Sequence, residues 1–204
     1  MKRPAAAMEC ERPETRVACL GDSNTVGGGL GTLSYPAQLQ RRLDEKAGPG
    51  RFRVKGFGVN GAVAAHTTGK KCYVKQQRYV AALEFQAHVH VVMLGTNDAW
   101  HRNGEPEKVA EAVSALVDDL HGRGPPSSFS PSVLIVPPPG VKEGRLQQNL
   151  QQHVHPELRR QVLSMQTSRL VEVEAFQSSK AYQADLVHLS EFGASELASA
   201  LASV

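Results

Sequence analysis

The stretch VACLGDSNTVGGGLG, residues 17–31, carries four apolar residues straight into Gly21-Asp22-Ser23, followed by a glycine-rich loop. A short apolar run closed by glycine reads as a buried strand entering a turn. Ser23 therefore sits at the exit of a strand, where it could be a nucleophile, part of a phosphate-binding turn, or a plain cap before a helix. A phosphate-binding P-loop needs Gly-Lys-Ser/Thr after its turn, and no such triplet follows the glycines at 27, 28, 29 and 31. Their spacing also misses the dinucleotide fingerprint. The chain has no Gly-x-Ser-x-Gly elbow, so the α/β-hydrolase arrangement of a nucleophilic serine is excluded as well.

Working outward, strand and helix patterns alternate. Residues 16–20 are the first strand. SYPAQLQRRLDEKAG, residues 34–48, is a helix with Ser34 as its cap, Pro36 in its first turn, and Tyr35, Leu39 and Leu43 on one face. RFRVKGFGV, residues 51–59, is a second strand. HVHVVMLGTND, residues 88–98, is a third, and its apolar run from Val89 to Leu94 suits a strand covered on both faces. Residues 106–121 form an amphipathic helix. SVLIVPPPG, residues 132–140, is a fourth strand stopped by three prolines. Helical patterns then follow, interrupted at Pro156. RLVEVEAF, residues 169–176, alternates as a half-exposed fifth strand, and a last helix starts near Ser190. Repeated strand–helix units predict an α/β fold, a parallel sheet with helices on both faces.

Bulk properties narrow the class. A chain of 204 residues is the size of one domain. We expect residues 1–14 to be a flexible tail and 15–204 to be that domain. The formal net charge is +3 and the basic residues are dispersed, which is no nucleic-acid footprint. Cys10, Cys19 and Cys72 share no CxxC spacing, so neither a disulfide framework nor a zinc site is expected, and Cys19 reads as a core residue. His88 with His90, and His153 with His155, are two apart; without acidic or thiol partners nearby they read as exposed or strand-end residues rather than metal ligands. No cofactor and no metal is expected. The N-terminus lacks an apolar signal region, and no run suffices for a membrane span. A cytoplasmic protein is the resulting expectation.

In parallel sheets, ligands bind beyond the carboxyl ends of the strands. The polar residues predicted there are Ser23, Gly61 with Asn60, Asn97 with Asp98, and Asp185 and His188 in the loop before the last helix. A serine hydroxyl needs a neighbouring base, and the base needs an orienting group. Ser23 can attack, His188 can take its proton, and Asp185 can hold the imidazole. Asn97 offers an amide donor and Gly61 an unobstructed backbone N–H for an oxyanion. Asp22 and Asp98 read as structural, the first fixing the serine turn and the second bracing the asparagine loop. Trp100 and His101 either line the acyl or alcohol pocket or simply pack.

GDSN at 21–24, GVNG at 58–61, GTND at 95–98 and DLVH at 185–188 resemble, in order, the four blocks of the SGNH superfamily of GDSL-type esterases and lipases. The resemblance implies a flavodoxin-like three-layer α/β/α sandwich on a five-stranded parallel sheet, no metal, and acyl transfer through an acyl-serine. It implies an oxyanion hole made by the backbone N–H of Ser23 with Gly61 and Asn97. SYPAQLQRRL, FGVNGAVA and VVMLGTNDAW further resemble the acetylesterase-like branch, some of it acting on carbohydrates. Asn24, Asn60 and Leu189 depart from residues common in the family, which has leucine or isoleucine, serine, and proline there. The expected function is hydrolysis of small-acyl esters, with a small-molecule ester as partner. A catalytically silent binding module and an acyltransferase are the alternatives.

Overall fold

The structure, a computed structural model, describes residues 14–65, 71–122, 130–165 and 167–204. The expected tail falls almost wholly outside the described residues. Five strands form the parallel sheet: β1 (Thr15–Gly21), β2 (Phe52–Gly58), β3 (Val89–Met93), β4 (Ser132–Ile135) and β5 (Ser168–Leu170). Their spatial order is β2-β1-β3-β4-β5. This is the flavodoxin-like order, and its switch point lies between β1 and β3.

Register places the site. Gly21, the last residue of β1, lies opposite Gly58 of β2 and Met93 of β3. The three loops that follow therefore leave the sheet at one level. Alternation along β1 divides the core. Val17 and Cys19 pack with Tyr35, Leu39 and Leu197, from helices α2 (Tyr35–Ala47) and α8 (Glu191–Ser203). Ala18 and Leu20 face the other way. They pack with Tyr79, Val113 and Leu158, from α3 (Gln77–Glu84), α5 (Val109–Gly122) and α7 (His155–Val162). Both faces of the sheet are thus buried at its centre, where β1 and β3 carry apolar residues on both sides, while the edge strand β2 exposes Arg53 and Lys55.

Several elements differ from the sequence expectation. Helix α3 and a two-residue pair, Ala62–Val63 with Lys71–Cys72, lie where no element was anticipated. Ser34 does sit at the N-cap of α2, with proline in the first turn, yet its side chain makes no capping hydrogen bond. The fifth strand is shorter than its alternating pattern: β5 stops at Leu170, and Glu174–Gln177 is a 3₁₀ turn. The pattern itself holds, with Val171 and Val173 buried. Around Pro156, helix α6 (Arg145–Asn149) passes through a π-turn, Leu150–Val154, into α7. The N–H of His155 bonds to the carbonyl of Leu150, five residues back, just before the proline that can donate nothing.

Candidate active site

Helix α1 (Ser23–Val26) begins directly after β1. Asp22 is its N-cap, and a carboxylate oxygen of Asp22 accepts the N–H of Asn24 at 2.9 Å. This locks the turn and sets Ser23 at the first helical position, where backbone N–H groups have no helical acceptor. The turn is pressed onto the sheet. A Cβ placed on Gly58 would lie 2.5 Å from the backbone N of Val26 and 2.7 Å from the carbonyl O of Asp22. Only glycine allows α1 this approach.

The other groups converge on Ser23. His188 Nε2 lies 2.9 Å from Ser23 Oγ. His188 Nδ1 lies 2.5 Å from Asp185 Oδ2. Asp185 Oδ1 accepts the N–H groups of both Val187 and His188 at 3.0 Å. Burial pushes the Asp185 carboxyl up, but these hydrogen bonds outweigh it and leave its pKa below the ordinary carboxylate value. Asp185 is thus ionised at neutral pH beside the imidazole. The loop is strained to achieve this: Leu186 has φ 59°, a conformation costly for a branched residue.

Asn97 is buried at the start of helix α4 (Thr96–Trp100). Its amide nitrogen donates to the carbonyl of Ala62 at 2.9 Å and faces Asp22 Oδ2 at 3.4 Å. The first contact fixes the amide's orientation. The second is long for a hydrogen bond, so that hydrogen can be taken by a closer anion. Gly61 has φ 74° and nothing within 4 Å of a Cβ position. Ser23, Gly61 and Asn97 line one cleft of about 530 Å³, with Trp100, His101 and His188. Both Trp100 and His101, left between pocket and packing by the sequence, are on that wall; Trp100 also carries Lys142 over its ring at 4.9 Å and packs against the core. A cavity of about 560 Å³ between α2, α8 and the sheet is lined largely by apolar side chains and holds none of these polar groups.

The two neighbouring acids, Asp22 and Asp98, shift in the opposite direction to Asp185. Asp22 is fully buried, which lifts its pKa to about 7; the Asn24 N–H opposes the rise and Asp98 adds to it. Asp98 is lifted to about 6, again chiefly by burial. Asp98 does not brace only its own loop. It accepts the N–H groups of Ala64 and Ala65 at 3.0 and 2.9 Å, tying the segment after Gly61 to the asparagine turn.

Cys19 is a core residue, as expected, its thiol pushed up to about 12 by burial. The histidine pairs are not uniformly exposed. His90 is buried, with a pKa lowered to about 4 by burial and by His121. His88 Nδ1 accepts the N–H of Arg16, and His155 Nε2 donates to the carbonyl of Pro138. Among the described residues no three metal-ligating side chains cluster, and no helix is long and apolar enough to cross a membrane.

Two residues at the site escaped the sequence reading of function. Gln183 Nε2 donates to the carbonyls of Gly28 and Leu189, joining the glycine loop to the histidine loop. Asn24, noted only as a departure, bonds to the same histidine loop. Both links span more than 150 residues, so no local spacing signals them.

A parallel 2-1-3-4-5 sheet with a Ser–His–Asp chain at its carboxyl edge, and no nucleophile elbow, defines a class of serine hydrolase folds distinct from the α/β-hydrolases. Residues 19–195 match the GDSL-like lipase/acylhydrolase family, and the chain belongs to it. It is 34% identical over 113 residues to an acetylxylan esterase of Xylanibacter ruminicola, covering 52% of this chain and 22% of that protein. The chain thus spans about a fifth of that relative's length. Among solved structures, Est24, a carbohydrate acetylesterase from Sinorhizobium meliloti, superposes with TM-score 0.72 at 19% identity, over 93% of this chain and 97% of that one. The acetyl xylan esterase AlAXEase superposes with TM-score 0.73 at 18% identity, over 92% and 98%. These likenesses establish the shared fold.

Proposed function

We propose that the chain is a serine esterase that removes small acyl groups, acetyl above all, from carbohydrate-type alcohols through an acyl-serine intermediate. The observation that carries this reading is the unbroken hydrogen-bond chain from Asp185 through His188 to Ser23, at 2.5 and 2.9 Å. Acetylesterase names among the relatives support the acyl choice.

In this reading His188 Nε2 takes the proton as Ser23 Oγ attacks the ester carbonyl. The ionised Asp185 stabilises the imidazolium and fixes its tautomer. The developing oxyanion is met by the backbone N–H groups of Ser23 and Gly61 and by the Asn97 amide. His188 then returns the proton to the leaving alkoxide. Water, deprotonated by the same imidazole, releases the acid and restores Ser23. Val26, Trp100 and Val187 give the cleft apolar surface for a short acyl group. Asn60 and His101 offer polar groups toward a hydroxylated alcohol.

The test is covalent labelling followed by an acyl-chain series. A fluorophosphonate should add to Ser23, and turnover should fall as p-nitrophenyl esters lengthen from acetate to octanoate. Labelling elsewhere, or none, contradicts the nucleophile; a maximum at octanoate contradicts the small acyl pocket.

A further inference from the structure

Asn24 stands next to Ser23 in the chain and is only 3% exposed. Its side chain reaches the main chain on both sides of His188. Asn24 Oδ1 accepts the N–H of Leu189 at 2.8 Å. Asn24 Nδ2 donates to the carbonyl of Val187 at 3.3 Å. The amide pairs with residues 187 and 189 as the backbone of an adjacent strand would. His188 lies between the two bonds.

The segment needs such a hold. Leu186 is in the left-handed region at φ 59°, so the loop is not in a conformation its own residues favour. Asp185 orients the ring and caps two N–H groups from within the loop. Gln183 holds the segment from outside α1: its main-chain N–H donates to the carbonyl of His188 at 2.7 Å, and its Nε2 donates to the carbonyls of Leu189 and of Gly28 in the glycine loop. Gln183 reaches the loop that follows α1, whereas the Asn24 amide reaches the histidine main chain from within the helix that carries Ser23. Asn24 is itself fixed, because its N–H is held by Asp22. Leu189 also leaves an N–H that must be satisfied in a buried place, where a proline would have none.

We infer that Asn24 is a positioning residue: its amide clamps the main chain on both sides of His188 and sets the distance between the histidine and Ser23. It touches no substrate and acts through His188. This inference rests on the proposed roles of Ser23 and His188.

The experiment compares wild type, Ser23→Ala, Asn24→Leu, Asn24→Asp, His188→Ala and the double variant Asn24→Leu/His188→Ala. Each is assayed with p-nitrophenyl acetate at a temperature where thermal unfolding shows it folded. Asn24→Leu should lower kcat by about 10- to 100-fold, the scale of an ångström-level misplacement, with KM changed less than about twofold. Asn24→Asp keeps an acceptor for Leu189 and should lose less, giving a folded variant even if leucine is poorly tolerated. In the His188→Ala background, Asn24→Leu should cost nothing further, because its route to the chemistry is gone. A merely structural role would lower the unfolding temperature and leave kcat intact, or cost the same in both backgrounds; either overturns the inference. If Ser23→Ala is inactive while Asn24→Leu turns over normally, only the positioning role falls. If Ser23→Ala retains full activity, the esterase site and this inference fall together.

Discussion

His188 Nε2 lies 2.9 Å from Ser23 Oγ although 165 residues separate them. Two independent pieces of fold bring them together. Helix α1 is laid on the carboxyl ends of β1 and β2 by the absence of a Cβ at Gly58. The histidine segment is held before α8 by Asp185, Gln183 and Asn24. The reactive geometry is therefore a property of the sheet edge and not of any single loop.

Asn97→Ala should lower kcat by about 100- to 1000-fold, the usual scale for one oxyanion donor. Its amide is already oriented by Ala62, so the loss should appear in kcat more than in KM. Steady-state kinetics with p-nitrophenyl acetate decide it. A change confined to KM would assign Asn97 to ground-state binding.

Asp185→Ala should be less damaging than Ser23→Ala, by about tenfold or more, since an orienting acid contributes less than the nucleophile. Asp185→Asn offers an amide, which presents an N–H or an oxygen where Nδ1 now meets a carboxylate oxygen. It should keep the loop contacts yet favour the wrong tautomer. Equal losses for Asp185→Ala and Ser23→Ala would contradict this ranking.

Gly58→Ala should injure both stability and turnover. The added methyl would meet the backbone of Val26 and Asp22, not a movable side chain. Overpacking of that kind costs about 1–3 kcal/mol. Displacing α1 moves Ser23 from His188, so kcat should fall about 100-fold. Wild-type kcat in the folded variant would show that the turn's position does not matter.

Stability should respond to pH through Asp22. Its folded pKa, about 7, stands above its ordinary value of 3.8. The folded protein therefore binds the proton more tightly than the unfolded chain. That contribution is fully present below about pH 4 and is lost as pH rises through 7. Asp98 acts in the same sense, with a pKa of about 6. His90, lowered to about 4, acts oppositely: its stability is lost as pH falls from 6.5 toward 4. Asp22→Asn should make the drop in unfolding temperature from pH 6 to pH 8 shallower than in wild type. An unchanged slope would mean that Asp22 is not the group responsible.

Much of this site was legible because strand exits announce it. Val17–Leu20 and, apart from His90, Val89–Leu94 are apolar runs ended by glycine, which alone places Ser23 and Asn97 at the sheet edge. Asp185 stands three residues before His188, a spacing that lets one loop supply both groups. The end of β5 was not legible. Its alternation runs on through Val173, but the neighbouring β4 continues into Pro137–Pro139, which donate no ladder hydrogen bonds. Ladder bonding ends with the N–H of Val171 on Ile135. Nor could Asn24 be assigned a partner. A buried amide in a short helix shows its need for hydrogen bonds, but its acceptor and donor lie in a segment 163 and 165 residues away.

The most direct measurement is hydrolysis of p-nitrophenyl acetate by the wild-type chain and Ser23→Ala in parallel, each confirmed as folded. The account predicts turnover by wild type and its near-complete loss in Ser23→Ala. Equal rates in the two proteins, whether both active or both inactive, would contradict Ser23 as the nucleophile of an acetyl esterase.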